Sequence, residues 1–131
     1  MNNEWNDLIK RAKSKLNFGE ISSFIDSGNY SCAILTDKGK IYCGVNINAP
    51  LLKMSAERAA ITNMISNGEK NIVKIIVINE LEEIVLPIED TLTYLMELEL
   101  NLSNISTIKN DKEIKMIDLL PDWWGTFRIS R

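Results

Sequence analysis

Two short segments hold the polar side chains that could form a chemical site. They contribute amides, hydroxyls and carboxylates: Asn46, Asn48, Ser55 and Glu57 in the first segment, and Glu89, Asp90 and Thr91 in the second. A carboxylate such as Glu57 can act as a general base. Glu57, Glu89 and Asp90 together could also hold magnesium or manganese, because oxygen-only ligands suit hard cations.

The residue types that are missing limit this chemistry further. The chain of 131 residues contains no histidine and two cysteines. Without an imidazole there is no Ser-His-Asp triad or Cys-His pair, so Ser55 has no base to activate it and is better explained as a helix N-cap. Two thiolates alone cannot supply the three or four ligands of a zinc site. We therefore expect Cys32 and Cys43 to be small core residues.

The first half of the chain predicts a helix followed by a β-hairpin. Apolar residues recur at helical spacing over residues 4–17, with basic residues on the other faces. Two strand-like runs, 30–35 and 41–46, flank a turn that contains Gly39. A two-residue turn at Lys38 and Gly39 would place Cys32 opposite Val45, and both cysteines would then lie on one face of the sheet.

The second half alternates helices and strands. Ser55 can cap a helix that ends near Asn67 and Gly68, and the apolar run 72–79 predicts a strand buried on both faces. A second helix is expected from about Pro87 through Glu99, followed by short strands at 105–108 and 114–117. This order predicts an α/β fold with one domain over residues 1–131, a three-layer mixed β-sheet of about five strands covered by helices.

Several segments, taken in order, resemble the cytidine deaminase family over almost the whole chain. They are the hairpin 33–42, Gly44-Val45-Asn46, Ala56-Glu57-Arg58 with Ala60-Ile61, Asn67-Gly68-Glu69, a proline that opens the next helix, and the closing Leu119-Leu120-Pro121-Asp122-Trp123-Trp124-Gly125. The spacing from Asn46 to Glu57 also resembles that of the blasticidin-type deaminases. The resemblance implies the family fold and a pocket.

The resemblance also assigns positions to the family's zinc chemistry. In that family three ligands hold a zinc ion whose water is the nucleophile, while a glutamate moves protons without touching the metal. The ligand positions correspond here to Ser55, Ile88 and Thr91, and the glutamate corresponds to Glu57. Two neutral hydroxyls and a hydrocarbon side chain are wrong for zinc. We expect no cofactor, and zinc only if the family chemistry is retained.

The family reaction is difficult without zinc, because the metal has a large effect on the water molecule that it binds. Zinc lowers the pKa of its bound water from about 15.7 to about 7, which is on the order of 12 kcal/mol toward hydroxide. A general base alone contributes roughly 10²–10⁴-fold. Glu57 therefore cannot replace the metal, and it could also be a first-turn acid that the helix dipole stabilises. For substrate binding, the resemblance matches Asn46 to a ribose-contacting asparagine, and Asn48 stands where the family usually has a glutamate.

These considerations lead to one main functional hypothesis and two alternatives. The main one is a zinc-less, catalytically impaired cytidine deaminase-like protein that binds a pyrimidine nucleoside or nucleotide, or a partner subunit. The first alternative is an active hydrolytic deaminase of a cytidine-like substrate with a non-standard metal site. The second is a purely structural, oligomer-forming homologue whose pocket is filled by Met54 and Ile88. The resemblance also implies a homo-oligomer, a dimer or tetramer, and we expect Trp123 and Trp124 to pack at the chain end or at a subunit contact.

Composition excludes other classes of partner. Fifteen basic and eighteen acidic residues give a net charge of −3, with no long block of like charge, so a nucleic-acid polymer is not expected as a partner. Apolar runs such as 75–78 are far shorter than the ~20 residues that cross a bilayer. The first residues lack a basic start and an apolar signal core, so we expect a cytoplasmic protein.

Overall fold

A computed structural model describes residues 3–87 and 89–119, with the backbone alone for Glu89. Its helices are α1 (Asn3–Lys15), α2 (Ala56–Ser66) and α3 (Glu89–Glu97). Its strands are β1 (Gly19–Glu20), β2 (Asp26–Thr36), β3 (Ile41–Asn48), β4 (Ile72–Asn79), β5 (Ile84–Val85), β6 (Ser106–Lys109) and β7 (Lys112–Lys115). Short 3₁₀ helices cover Leu102–Asn104 and Met116–Leu119. Trp123 and Trp124, expected at a chain end or subunit contact, lie outside the described residues.

The strands form one mixed sheet. β2 is central in the hairpin half and pairs antiparallel with β3 on one side and with β4 on the other. β4 pairs in parallel with β6, which pairs antiparallel with β7, so five strands run in the order β3-β2-β4-β6-β7. The two-residue strands β1 and β5 add to β2 and β4. The predicted mixed sheet of about five strands is confirmed, with two short strands added.

Helices cover both faces of this sheet. On one face α1 buries Trp5, Leu8 and Ala12 against a cluster that includes Ala33 and Ile76. On the other face α2 and α3 supply apolar side chains to a second cluster around the sheet: Ala60, Ile61, Met64, Leu92 and Leu95. Successive residues of β2 alternate between the two clusters, as the pleat of a strand requires. The three-layer architecture is therefore confirmed.

The β2–β3 hairpin differs from its predicted register by one residue. The Thr36 N–H donates to the Lys40 carbonyl at 2.9 Å, and Gly39 adopts a φ of 81°, so the loop has three residues, 37–39. Cys32 consequently pairs with Gly44, and Ala33 pairs with Cys43. A one-residue shift turns side chains to the other face of a strand. The prediction that both cysteines share a face is wrong: Cys32 packs on the α2 side and Cys43 on the α1 side.

The hairpin of β6 and β7 places the last strand differently from the prediction. Asn110 and Asp111 both have positive φ, which makes a two-residue turn between Lys109 and Lys112. This turn starts β7 at Lys112, and a 3₁₀ helix replaces the end of the strand expected at 114–117. In α3, the helix ends at Glu97, and Glu99 lies beyond it with a φ of 61°. A residue in the left-handed region cannot continue the helix that was predicted through Glu99.

The position of α2 depends on a close approach to β3. A Cβ added to Gly44 would lie 2.3 Å from the backbone nitrogen of Ala60, so the helix backbone rests directly on the strand at this glycine. Ser55 caps α2 by accepting the Arg58 N–H at 3.1 Å, as its sequence context predicts. Gly68, with a φ of 84°, follows the helix at its other end. Within the described residues, no helix is long and apolar enough to span a membrane.

Candidate functional site

A cavity of about 530 Å³ opens where β3 ends and α2 begins. Its walls contain residues of the first polar segment: Asn46, Asn48, Ser55 and Glu57. Asp90 of the second segment lines it too, and Val77 and Val85 form an apolar part of the wall. The volume lies in the range of about 300–1,000 Å³ that small-molecule sites occupy. The two segments predicted to hold the chemistry thus meet at one cavity.

A pair of backbone hydrogen bonds brings the first segment together. The Ile47 N–H donates to the Met54 carbonyl at 2.9 Å, and the Met54 N–H donates back to Ile47 at 3.0 Å. This bridge closes the connection between β3 and α2, so that Ser55 starts its helix beside the strand end that carries Asn46 and Asn48. Met54 is 41% exposed at the cavity wall. Ile88, the other residue expected to fill the pocket, lies outside the described residues, so that expectation stays a prediction.

Asn46 is buried, and its amide group forms hydrogen bonds within the protein through both its oxygen and its nitrogen. Its Oδ1 accepts the Tyr30 N–H at 2.9 Å, and its Nδ2 donates to Asn29 at 2.5 Å and to Asn48 at 3.1 Å. Both amide protons therefore have protein acceptors. Asn46 thus orients Asn29 and Asn48. The Asn48 side chain is exposed and lines the cavity.

The same network contains a carboxylate that the sequence does not reveal. Asn48 donates to Asp26 at 2.6 Å and to Asn29 at 3.2 Å. Asp26 lies opposite Asn48 in the register of β2 and β3. Asp26 and Asn29 are distant from Asn48 in sequence, and the register of β2 and β3 shifts between Ser27 and Ser31, so the hairpin loop alone would not have placed Asp26 opposite Asn48. Asn46 and Asn48, which line the cavity, are therefore connected by hydrogen bonds to Asn29 and Asp26.

Glu57 lies inside the protein at the first turn of α2. Its side chain is 3% exposed, and its Oε2 accepts the hydroxyl of Thr91 at 2.9 Å. Thr91 is fully buried in the first turn of α3. The starts of the two helices therefore face each other across this hydrogen bond. Glu57 is a buried carboxylate at the cavity wall and not a solvated surface acid.

Cys32 lies on the face of β2 that α2 covers, and the charge of Glu57 acts on its thiol. Burial, and then the negative charge of Glu57, raise the pKa of the Cys32 thiol well above its usual value. Cys32 is therefore expected to be a neutral thiol in the protein core. Cys43, on the other face, also has a raised pKa, mainly because of burial.

The residues at the implied zinc positions do not fit zinc. Ser55 Oγ already accepts the helix-capping hydrogen bond, and Thr91 already donates to Glu57. Both are neutral hydroxyls, which are poor zinc ligands. Ile88 lies outside the described residues. In the described part of the chain, no group of three His, Cys, Asp or Glu residues could hold a metal ion. Asp90 and Glu57 both line the cavity. The Glu89 side chain is not among the described ones, so a magnesium or manganese site formed by Glu57, Glu89 and Asp90 stays a prediction.

The sheet order, the two helical layers and the cavity at the start of α2 define a cytidine deaminase-like fold. A cytidine deaminase from Mycobacterium tuberculosis matches with a TM-score of 0.75 and 22% identity, covering 92% of this chain and 97% of that one. The enzyme from Burkholderia pseudomallei has a TM-score of 0.68 and 23% identity over 93% of this chain and 98% of its own. That from Bacillus anthracis has a TM-score of 0.65 and 15% identity over 96% and 91%.

These similarities lie in the structure more than in the sequence. No protein-family model matches the sequence, and no curated protein matches it either. At identities of 15–23%, the solved structures establish the fold that was inferred from the short motifs. The roles of Asn46, Asn48 and Glu57 in binding or catalysis stay predictions.

Proposed function

We propose that this chain is a cytidine deaminase-like protein that binds a pyrimidine nucleoside or nucleotide in the cavity at the start of α2, with impaired catalysis. The observation that carries the proposal is the combination of an open cavity of about 530 Å³ with the buried Glu57 in its wall. A carboxylate is an acceptor for the N–H groups on the edge of a pyrimidine base. Val77 and Val85 offer an apolar wall to the faces of the ring.

The donor set at the helix starts supports impaired catalysis. Hydrolytic deamination needs a water molecule activated as a nucleophile. The Ser55 oxygen accepts the capping hydrogen bond from the Arg58 N–H, and the Thr91 hydroxyl donates to Glu57. Neither group carries the negative charge that would favour a metal ion. Glu57 alone is a general base, worth roughly 10²–10⁴-fold.

Nucleoside binding is tested by thermal shift and calorimetry with cytidine and uridine. A ligand at 100 times its dissociation constant adds about 2.7 kcal/mol to the free energy of unfolding. Glu57→Gln keeps the shape of the side chain but replaces an acceptor oxygen with a donor, and we expect it to weaken nucleoside binding at least about tenfold. Glu80→Gln, at an exposed site away from the cavity, is the matched control. If neither nucleoside binds, the proposal is wrong.

Turnover is measured separately as conversion of cytidine to uridine. We expect no conversion above the level of Glu57→Gln, with or without added zinc, magnesium or manganese. The alternative of an active deaminase with a non-standard metal is favoured by one observation: Asp90 and Glu57 line the same cavity. Metal-dependent turnover that is lost in both Glu57→Gln and Asp90→Asn would establish that alternative.

We also propose that the chain forms a homo-oligomer through a surface beside the cavity. Leu51 and Leu52 are 90% and 87% exposed in the connection that leads into α2. Large exposed apolar side chains are typical of association sites. Light scattering should show a dimer or tetramer, and Leu51→Asp with Leu52→Asp should shift it toward the monomer of 14.9 kDa. A monomer for the unmodified chain at high concentration would contradict this proposal.

A further inference from the structure

Two cationic side chains flank the start of α2 at the mouth of the cavity. Lys53 precedes the cap residue Ser55, and Arg58 lies in the first turn of the helix. Both side chains are exposed and both line the cavity. Because the whole chain has a net charge of −3, two cations that line one cavity differ from its average surface. They would attract the anionic part of a ligand.

Arg58 is held in a defined orientation by α3. Its guanidinium carbon lies 4.9 Å from the centre of the Tyr94 ring, which is a cation–π contact. The guanidinium has five N–H donors, and those that do not face the ring are available to a ligand. A planar pair of such donors matches two oxygens of a phosphate group. The contact with Tyr94 thus orients the group before any ligand binds.

The cavity has one acid in its interior and charges of both signs nearer the solvent. Glu57 is the buried acid, 3% exposed, and Asp90 is an exposed acid on the wall. Three other side chains lie nearer the solvent than Glu57, since all of them are exposed: Asn48, Lys53 and Arg58. A ligand that carries N–H donors at one end and an anion at the other would match this polarity. Charge complementarity of this kind gives specificity among similar ligands.

We propose that the cavity takes a pyrimidine nucleoside monophosphate, with its phosphate group bound by Lys53 and Arg58. This inference rests on the proposed function and narrows it, since a neutral nucleoside would leave both cations unused. The interaction is electrostatic and lies near the surface, so salt screens it. The pyrimidine ring would provide the contacts with the interior wall.

The first test compares three probes by calorimetry: cytidine, cytidine 5′-monophosphate and inorganic phosphate. We expect the monophosphate to bind at least about tenfold more tightly than cytidine at low salt, because it adds charge-assisted hydrogen bonds. Inorganic phosphate should bind far more weakly than either, because it lacks the base. The advantage of the monophosphate over cytidine should decrease as the salt concentration rises.

The second test uses variants of the two cations. Lys53→Gln and Arg58→Gln should each reduce the ratio of monophosphate to cytidine affinity, and the double variant should bring it close to one. Arg58→Lys keeps the charge but loses the planar donor pair, so its ratio should be intermediate. Lys70→Gln is the matched control, because Lys70 is an exposed lysine past the opposite end of α2. Thermal melting shows that each variant is folded.

The outcomes separate the inference from the proposed function. Equal affinities for cytidine and its monophosphate, or an unchanged ratio in the Lys53→Gln, Arg58→Gln double variant, overturn the inference while the proposed function stands. Inorganic phosphate that binds as tightly as the monophosphate also overturns it, because the site would then recognise phosphate alone. If no pyrimidine compound binds, both are wrong.

Discussion

At the scale of single residues, the candidate site consists of polar groups that already hold one another. The Thr91 hydroxyl donates to the buried Glu57, and the Asn46 amide forms hydrogen bonds with Tyr30, Asn29 and Asn48. Bonds of this kind fix the orientation of the groups around the cavity before a ligand arrives, which lowers the entropic cost of binding.

Thr91→Val is expected to destabilise the protein. Valine has the shape of threonine but cannot donate to Glu57, and a buried acceptor that loses a donor costs about 1–3 kcal/mol in the free energy of unfolding. Urea denaturation measures the change. Thr93→Val, on the exposed side of the same helix, should change stability by less than about 0.5 kcal/mol. Equal stabilities for both variants would contradict the role assigned to Thr91.

Glu69 makes stability depend on pH. Hydrogen bonds from Thr36 and Tyr42, and then the charges of Lys38 and Lys40, lower the pKa of this carboxyl below its usual range. Because the folded pKa is lowered, the stabilisation is present above the unfolded pKa and is lost as the pH falls through the folded one. Denaturation curves from neutral to acid pH should show this loss.

Two variants test the assignment to Glu69. Tyr42→Phe removes one donor to the carboxylate, so it should make the loss of stability toward acid pH smaller. Glu69→Gln should reduce it further, while Glu97→Gln, at an exposed position, should leave the pH profile unchanged. An identical acid profile in Glu69→Gln and the unmodified protein would be inconsistent with this account.

At the scale of elements, the site depends on how closely α2 lies on β3. Gly44 allows this contact, because a Cβ there would reach within 2.3 Å of the Ala60 nitrogen and 2.6 Å of the Ala59 Cβ. The helix would have to move away from the strand to admit a methyl group. Such a movement would also displace Glu57 and Ser55 at its start.

Gly44→Ala should therefore destabilise the fold and open the cavity. Overpacking of this kind costs typically about 1–3 kcal/mol. Gly19→Ala is the matched control, since nothing lies within 4 Å of its added Cβ and its φ is not positive. Chemical denaturation should show a clear loss for Gly44→Ala alone. Similar midpoints for the two variants would mean that α2 does not rest on Gly44.

The elements also show what the sequence could predict. The bounds of α2 and β4 followed from Ser55, Gly68 and the apolar run, because caps and continuous apolar stretches are local signals. The hairpin register failed because it depends on one residue of loop length at Gly39. Asp26 was missed for a different reason, since its place opposite Asn48 depends on a register shift of the strand pair between Ser27 and Ser31. The hydrogen bond from Thr91 to Glu57 joins two helices and has no local signal.

At the scale of the whole molecule, the chain has a cytidine deaminase-like fold, and neutral hydroxyls stand at two of the positions where the resemblance implies zinc ligands. The sheet and its helical layers match cytidine deaminases with TM-scores of 0.65–0.76. A fold of this kind is held by its core, and a site within it can change independently. The Ser55 oxygen caps α2, and the Thr91 hydroxyl donates a hydrogen bond to Glu57.

The purified protein should contain no stoichiometric zinc. Neutral hydroxyls do not compete with the thiolate and imidazole ligands that zinc prefers. Elemental analysis after dialysis should give far less than one zinc per chain, and a chelator should leave the melting temperature unchanged. About one zinc per chain, with a lower melting temperature after chelation, would contradict this prediction.

The hydrogen bonds between Ile47 and Met54 join both ends of the segment that contains Leu51 and Leu52. A segment anchored in this way can gain residues without changing what it connects, and each doubling of its length costs only about 0.6 kcal/mol in closure entropy. Insertions between the two anchors would therefore remodel the apolar surface beside the cavity and leave Asn46, Asn48 and Glu57 in place. Subunit assembly and ligand choice can thus diverge separately among proteins that share this fold.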